Sequence, residues 1–180
     1  MPAQLPQATS TLPGLANRAN AAIAVAAARS LGVDPELAMD AAYRISSVRG
    51  RYAVVPTPTG QLVRLLLAKN PAGWTEATSV VAAGQDPLAP VVIAFNAEGV
   101  DGRDPSWIYD VDFSSLHDRR VAVVGRRATD MAVRLHLEGL DAVEECPDLL
   151  NAVRRMPPGP VEVIANYSAF QDARKALSRG

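Results

Sequence analysis

From Tyr52 onward, short apolar runs alternate with amphipathic segments, and this alternation limits the possible folds more than any other feature of the sequence. The predicted strands cover residues 52–55, 62–67, 91–95, 121–124 and 161–165, with a weaker one at 142–145. The predicted helices cover residues 74–83, 128–138, 148–155 and 169–178. Short apolar strands bounded by helices are typical of a mostly parallel sheet covered on both faces. We therefore predict an α/β fold with a Rossmann-like sheet.

The amino-terminal part has a different pattern. Residues 1–13 are rich in Pro, Thr, Ser and Gln and predict a loose lead-in. An alanine-rich helix is predicted at 17–31 and a second helix at 34–45, the latter starting with the favourable pair Asp-Pro. Two helices without a sheet form an incomplete domain. We therefore predict that residues 1–48 are the end of a larger domain and that residues 49–180 form the α/β domain.

Composition excludes several classes of function. The formal net charge is −1 and the charged fraction is 21%, so the sequence gives no reason to expect a nucleic-acid partner. Cys146 is the only cysteine, which excludes an intrachain disulfide and a cysteine-based zinc site and fits a reducing cytoplasm. The longest apolar stretch, 21–28, is far shorter than the roughly 20 residues of a membrane span. We expect a cytoplasmic protein without a transmembrane segment.

The loop AKNPAGW, residues 68–74, is the first candidate for function. In an open parallel sheet, ligands bind at the carboxyl ends of the strands, and this loop follows one of them. The helix that starts there has free N–H groups that favour an anion such as a phosphate. Lys69 could add a charge and Asn70 a hydrogen bond. The alternative is an ordinary strand-to-helix turn.

The second candidate is the acidic loop FNAEGVDGRDPSWIYDVDF, residues 95–113. Long irregular loops are often functional. Asp104 precedes Pro105, which keeps its backbone extended and its carboxylate in a fixed pose. Its possible roles are a metal ligand, a general base, or a carboxylate that orients a histidine. The alternative is a solvated acidic loop with Trp107 as its hydrophobic anchor.

Weaker signals lie at two further places. Asn166 and Tyr167, in the loop ANYSAF, are expected to face the same edge of the sheet, with Ser168 as the cap of the last helix. Asn17 and Asn20 lie three residues apart on one side of a predicted first helical turn, and capping accounts for only one of them. The sequence holds no G-x-x-x-x-G-K-[ST] loop. If the protein binds ATP, most of the contacts with ATP are therefore expected from another part of the protein.

Several of these segments resemble a known family. LPGLANRANAAIAVAAA looks like the closing helix of the Mur ligase central domain, and RGRYAVV resembles the entry to the carboxy-terminal domain. LAKNPAGW, FNAEGVDGRDPSWIYDVDF and ANYSAFQDARK resemble the MurT family, the ligase-like subunit of lipid II isoglutaminyl synthase. The resemblance covers nearly the whole chain after about residue 12, and DGRDPSWIYD is its most specific part.

The resemblance implies an activity and its partners. It implies that the complete enzyme amidates the α-carboxyl of D-glutamate in lipid II at the cytoplasmic face of the membrane, using ATP and Mg²⁺. Ammonia would come from a separate glutaminase subunit of the class I amidotransferase type. Asp104 would complete the glutaminase triad across the subunit interface. The positions that match nucleotide-facing residues of the family are Asn17, Asn20, Arg51, Lys69 and Asn70.

The sequence also departs from the family pattern. A full-length member begins with a GTNGKT-type phosphate loop and a metal-binding central domain and carries a cysteine-rich zinc insert, and none of these is in the sequence. We therefore expect the chain alone to be inactive as a synthase and to dock the glutaminase. One alternative is a non-catalytic nucleotide- or partner-binding α/β module. Another is a relative of folylpolyglutamate synthase, against which DGRDPSW argues.

Overall fold

The computed structural model describes residues 12–48, 51–96 and 104–178 and divides the chain into two units, residues 1–48 and 49–180. The first unit contains helices α1 (Leu15–Ser30) and α2 (Pro35–Tyr43). The Asp34 carboxylate caps α2 by accepting hydrogen bonds from the backbone N–H groups of Glu36 (2.9 Å) and Leu37 (3.2 Å). This is the helix start that the Asp-Pro pair predicts.

The predicted start of α1 at Asn17 was wrong by two residues. The cap position is Gly14, which makes no side-chain cap bond, and Leu15 is already helical. Asn17 lies inside the first turn, where its Nδ2 donates a hydrogen bond to the Pro13 carbonyl at 2.6 Å. A side chain that bonds backward to the preceding turn does not cap the helix, so the Pro-Gly pair before Leu15 sets the boundary.

Helices α1 and α2 bury none of their own residues. Large apolar side chains stay exposed along this unit, among them Leu15, Ile23, Leu31 and Leu37. Helices of globular proteins gain most of their stability by burying an apolar face. Their assignment to the end of a larger domain stays a prediction.

The second unit is built on a six-stranded sheet with the order β1-β2-β6-β3-β4-β5. Its strands are β1 (Tyr52–Pro56), β2 (Gln61–Leu67), β3 (Val91–Ala94), β4 (Val121–Val124), β5 (Val143–Glu145) and β6 (Gly159–Ala165). Its helices are α3 (Pro71–Ala82), α4 (Ala128–Leu137), α5 (Leu149–Arg155) and α6 (Tyr167–Leu177), with short 3₁₀ segments at Ser106–Asp110 and Ser114–Leu116. All neighbouring strands are parallel except β1 and β2. The predicted fold class is confirmed.

Helices cover both faces of the sheet. On one face, alternate strand residues such as Val92 and Val163 form a core with the buried side of α5 and α6, where Phe170 is fully buried. The residues between them, such as Ile93, point to the opposite face, where α3 and α4 pack. Strands buried on both faces read as continuous apolar runs, which explains why the sequence predicted them well.

One ion pair fixes the register between β2 and β6. Arg64 and Glu162 are direct partners in the parallel ladder. The Arg64 Nε donates to both Glu162 carboxylate oxygens, at 2.8 and 3.0 Å. Burial raises the pKa of Glu162, while Arg64 lowers it. A slip of one residue would turn Glu162 to the other face and leave it without this partner, so the pair selects one register.

Gly125, after β4, sits where no side chain fits. Its φ is +107°, and a Cβ there would lie 2.6 Å from the Phe95 carbonyl oxygen and 2.7 Å from the Asn96 Oδ1. Gly159 has a similar φ of +119° but has nothing within 4 Å of a Cβ. A substitution at Gly159 therefore tests backbone strain alone, whereas one at Gly125 tests backbone strain and steric overlap together.

We expect Gly159→Ala to lower the free energy of unfolding by about 1–2 kcal/mol through backbone strain alone. Gly125→Ala should cost about 2 kcal/mol more, because the end of β3 must move. Urea unfolding followed by tryptophan fluorescence measures both, since Trp74 and Trp107 lie in this unit. Equal losses of unfolding free energy in the two variants would show that a Cβ at position 125 meets no steric overlap.

Candidate functional site

The carboxyl edge of the sheet brings several predicted site residues together. Lys69 and Asn70 follow β2, and Asn166 follows β6, its parallel neighbour. Arg51 belongs to the same edge, because β1 runs antiparallel and the Arg51 carbonyl accepts a hydrogen bond from the Leu67 N–H at 2.9 Å. Arg51, Lys69 and Asn70 are exposed. Asn17 and Asn20, the remaining predicted nucleotide residues, belong to the first unit.

Lys69 and Asn70 have structural contacts of their own. The Asn70 Oδ1 accepts a hydrogen bond from the Gly73 N–H at 2.9 Å and so caps α3. The Lys69 Nζ lies 4.9 Å from the centroid of the Tyr167 ring, a cation–π contact that links the loops after β2 and β6. The loop is therefore a capped strand-to-helix turn that carries an exposed cation beside an aromatic ring.

A buried pair of asparagines connects the ends of β3 and β6. The Asn166 Oδ1 accepts hydrogen bonds from the N–H groups of Asn96 (3.2 Å) and Ala169 (3.4 Å). The Asn96 Oδ1 accepts from the Arg126 N–H at 3.1 Å, and its Nδ2 donates to Asp172 at 3.1 Å. These bonds join the segments after three strands into one network.

This network corrects one prediction and adds a residue that sequence reasoning missed. Asn166, rather than Ser168, caps α6, because the helix begins at Tyr167, two residues earlier than a Ser168 cap requires. Asn96 was not singled out. Its position in the sequence could have identified it. Asn96 directly follows the apolar run that ends at Phe95, just as Asn166 directly follows the apolar run that ends at Ala165.

The Asp104 carboxylate is exposed at this edge of the unit. Its Oδ1 accepts a hydrogen bond from the Ser106 N–H at 3.0 Å. Hydrogen bonds from the Ser106 side chain and backbone hold the pKa of Asp104 below its usual value, so the carboxylate is ionised at neutral pH. Asp104 lines an open depression of about 220 Å³ together with Arg127 and Asp130 from the start of α4. Arg103, which precedes Asp104 in the sequence, lies outside the described residues.

An aromatic cluster anchors the segment that follows Asp104. Trp107 lies 5.8 Å from Phe95 and 6.4 Å from Trp74 between ring centroids. Phe113 lies 6.0 Å from Trp74, in an edge-to-face arrangement. Trp107 thus acts as the hydrophobic anchor that the sequence suggested. A buried arginine of α4, Arg134, donates hydrogen bonds to the same segment and was not predicted.

Other predicted features have plain structural roles. Cys146 is buried, and burial raises the pKa of its thiol. Within residues 12–48, 51–96 and 104–178, no group of three or more His, Cys, Asp or Glu residues is arranged to hold a metal ion. Among the same residues, no helix combines the length and apolar character needed to cross a membrane.

Solved structures share the fold of this chain. Folylpolyglutamate synthase of Mycobacterium tuberculosis superposes with a TM-score of 0.65 at 21% identity, over 94% of this chain and 41% of that one. UDP-N-acetylmuramate-alanine ligase MurC of Thermotoga maritima superposes with a TM-score of 0.64 at 15% identity, over 93% of this chain and 38% of that one. The chain therefore has a fold found in Mur-type ligases.

Sequence comparison narrows the class to one family. Residues 67–170 match the MurT ligase C-terminal family. The chain is 31% identical over 173 residues to the lipid II isoglutaminyl synthase (glutamine-hydrolyzing) subunit MurT of Streptococcus pneumoniae and 33% identical over 171 residues to that of Staphylococcus aureus. The matches cover 92% and 91% of this chain but 38% of each relative. The chain belongs to the MurT ligase C-terminal family, as its resemblance indicated.

The buried asparagine network should contribute more stability than the exposed cap. Asn166→Ala leaves the buried Asn96 N–H without its acceptor and should lower the free energy of unfolding by about 2–3 kcal/mol. Asn70→Ala removes an exposed cap and should cost about 1 kcal/mol. Urea unfolding of both variants tests this order, and an equal or reversed order would contradict it.

Proposed function

We propose that this chain supplies the carboxy-terminal portion of the ligase subunit of lipid II isoglutaminyl synthase. The complete cytoplasmic enzyme would amidate the D-glutamate α-carboxyl of lipid II for peptidoglycan synthesis. Family membership and the names of the two relatives support this function. The chain spans about 38% of the length of those relatives, so the complete activity belongs to a longer protein and its glutaminase partner.

The proposed chemistry needs both ATP and ammonia. A carboxylate is a poor electrophile, so its oxygen first attacks the γ-phosphorus of ATP, which forms an acyl phosphate and releases ADP. Ammonia then attacks the acyl carbon, and inorganic phosphate leaves. Free ammonia is mostly protonated at neutral pH, and hydrolysis of glutamine by a neighbouring subunit supplies the reactive form. Mg²⁺ and the main phosphate-binding loop would belong to the rest of the enzyme.

Asp104 is proposed as the acid of the glutaminase triad, with the nucleophile and the histidine on the partner subunit. A triad acid orients an imidazole, fixes its tautomer and stabilises the imidazolium that forms during reaction. The observation that supports this role is the ionised, exposed Asp104 carboxylate, held in one pose by Ser106. A buried carboxylate could not reach an imidazole on another polypeptide.

Arg51, Lys69 and Asn70 are proposed to face the nucleotide, with Asn17 and Asn20 contributing from the first unit. The support is that the first three share the carboxyl edge of the sheet beside the start of α3, where free N–H groups attract anions. Lys69 adds an exposed positive charge there. The Asn70 oxygen is used in capping, which leaves its NH₂ group as the part suited to a nucleotide oxygen.

The triad role predicts the effect of Asp104→Asn. In a complex of the chain with the glutaminase subunit of the same organism, this change should lower the kcat for glutamine hydrolysis at least about 100-fold, because an amide cannot stabilise an imidazolium. Association, measured by calorimetry, should stay largely intact.

Asp112→Asn is the matched control. Asp112 is also exposed, accepts a hydrogen bond from the Ser114 N–H at 2.8 Å and has a lowered pKa. The complex with Asp112→Asn should hydrolyse glutamine at the wild-type rate. Full hydrolysis by the Asp104→Asn complex would remove the triad role, and absence of any complex would favour the alternative of a non-catalytic module.

The nucleotide role predicts weak ATP binding centred on Lys69. Because the main phosphate loop is expected elsewhere, we expect a Kd weaker than about 100 μM in calorimetry. At millimolar ATP, the amide NMR shifts of Lys69, Asn70, Ala72 and Gly73 should change, and these changes should be smaller in Lys69→Met. Lys175→Met, on the last turn of α6, is the control. Micromolar affinity, or shifts that persist in Lys69→Met, would contradict the proposal.

A further inference from the structure

Arg134 is one of the few charged side chains buried in the described residues, with an exposed fraction of 7%. Its Nη2 donates a hydrogen bond to the Val111 carbonyl at 2.7 Å, and its Nε donates to the Ile108 carbonyl at 3.3 Å. Both carbonyls belong to the segment that follows Asp104 and contains the 3₁₀ turn at Ser106–Asp110. The guanidinium therefore adds side-chain hydrogen bonds to the few backbone bonds of this segment.

Three further groups hold the guanidinium in place. The Glu138 carboxylate, one turn further along α4, lies 2.5 Å from the Arg134 Nη2. The rings of Phe113 and Tyr109 have their centroids 5.3 and 5.8 Å from the Arg134 Cζ. A buried guanidinium that is paired, hydrogen-bonded and in contact with rings has little freedom to move.

A chain of hydrogen bonds leads from Arg134 to Asp104. The Ile108 carbonyl accepts from Arg134, and the Ile108 N–H donates to the Pro105 carbonyl at 3.0 Å. The next residue, Ser106, donates its N–H to the Asp104 carboxylate at 3.0 Å. Every link involves backbone groups, so movement of Ile108 would displace the Asp104 carboxylate.

The same helix supplies the rest of the depression that Asp104 lines. Arg127 and Asp130 lie at the start of α4 and pair with each other at 2.8 Å. Arg134 follows Asp130 by one helical turn. It therefore fixes the segment carrying Asp104 to the helix that forms the neighbouring wall.

We propose that Arg134 is the positioning residue for the Asp104 carboxylate and thereby sets the rate of glutamine hydrolysis in the complex. This inference rests on the proposed triad role of Asp104. Arg134 acts from within the domain, through the backbone of residues 105–108. A lysine cannot replace it, since an ammonium group lacks the planar fork that reaches two carbonyls and a carboxylate together.

Arg119 provides a matched control within the same unit. It is buried to the same degree, with an exposed fraction of 8%. Its guanidinium donates to the carbonyls of Ala89 and Val81, each at 2.9 Å. These bonds hold the connection between α3 and β3. Arg134→Lys and Arg119→Lys therefore remove the same kind of interaction from two different segments.

The test measures steady-state glutamine hydrolysis by the complex of the chain with the glutaminase subunit. We expect Arg134→Lys to lower kcat about tenfold with an unchanged KM for glutamine, because misplacement by about 1 Å can cost up to about 100-fold. Arg119→Lys should keep kcat within about twofold of the wild type, because Arg119 bonds to Ala89 and Val81 and not to the segment that carries Asp104. Equal losses for the two variants would overturn the inference.

A double variant shows whether Arg134 acts through Asp104. In the Asp104→Asn background, Arg134→Lys should cause no further loss of hydrolysis, because the group it positions is gone. A further tenfold loss there would show that Arg134 acts elsewhere and would overturn the inference. Unchanged hydrolysis by Asp104→Asn alone would instead overturn the triad role, so the two failures are distinguishable.

Glu138→Gln covers the case in which Arg134→Lys does not fold. Glu138 is partly exposed, and the change removes only the carboxylate that holds the guanidinium. We expect kcat to fall about threefold with an unchanged KM, as expected for a smaller displacement. Wild-type kcat in this variant, in the absence of a folded Arg134→Lys protein, would overturn the inference.

Discussion

The parallel alignment of β2, β6, β3 and β4 determines where Lys69, Asn70 and Asn166 lie. Strands β3 and β4 are buried at every residue and β6 over its last five, so their backbone groups must bond to one another, and the carboxyl ends of the parallel strands meet at one edge. The Arg64–Glu162 pair selects the register at β2 and β6. Once that register is set, Lys69 and Asn166 lie on adjacent loops, and the contact of Lys69 with the Tyr167 ring follows from the sheet.

The edge is held together by side chains that bond backbone groups. Asn166 accepts from an N–H after β3 and from an N–H of its own helix, and Asn96 accepts from an N–H after β4. Gly125 makes this last contact possible, because a Cβ at that position would occupy the place of the Asn96 oxygen. The loops that carry the proposed site residues therefore start from fixed points.

The sequence predicted the strands well because a strand that is buried on both faces, such as VVIA, consists of apolar residues only and forms a recognisable run. It was less successful where a single contact decides between neighbouring residues. Asn17 bonds back to Pro13 and so lies inside α1, and Asn166 rather than Ser168 caps α6. Arg134 was missed for another reason: an arginine in an amphipathic helix usually faces solvent, and its partners lie 23 and 26 residues away in an irregular segment.

A carboxylate that serves a histidine on another polypeptide must be both exposed and fixed. Exposure alone would leave Asp104 mobile, and burial would put it out of reach. The structure meets both demands by anchoring the backbone that follows it, through Trp107 and Arg134, while the carboxylate itself stays in solvent. The Ser106 bond uses only part of the capacity of the carboxylate, which accepts about four hydrogen bonds. The remaining capacity is what the imidazole N–H of the proposed triad needs in order to bind without breaking the contact that fixes the pose.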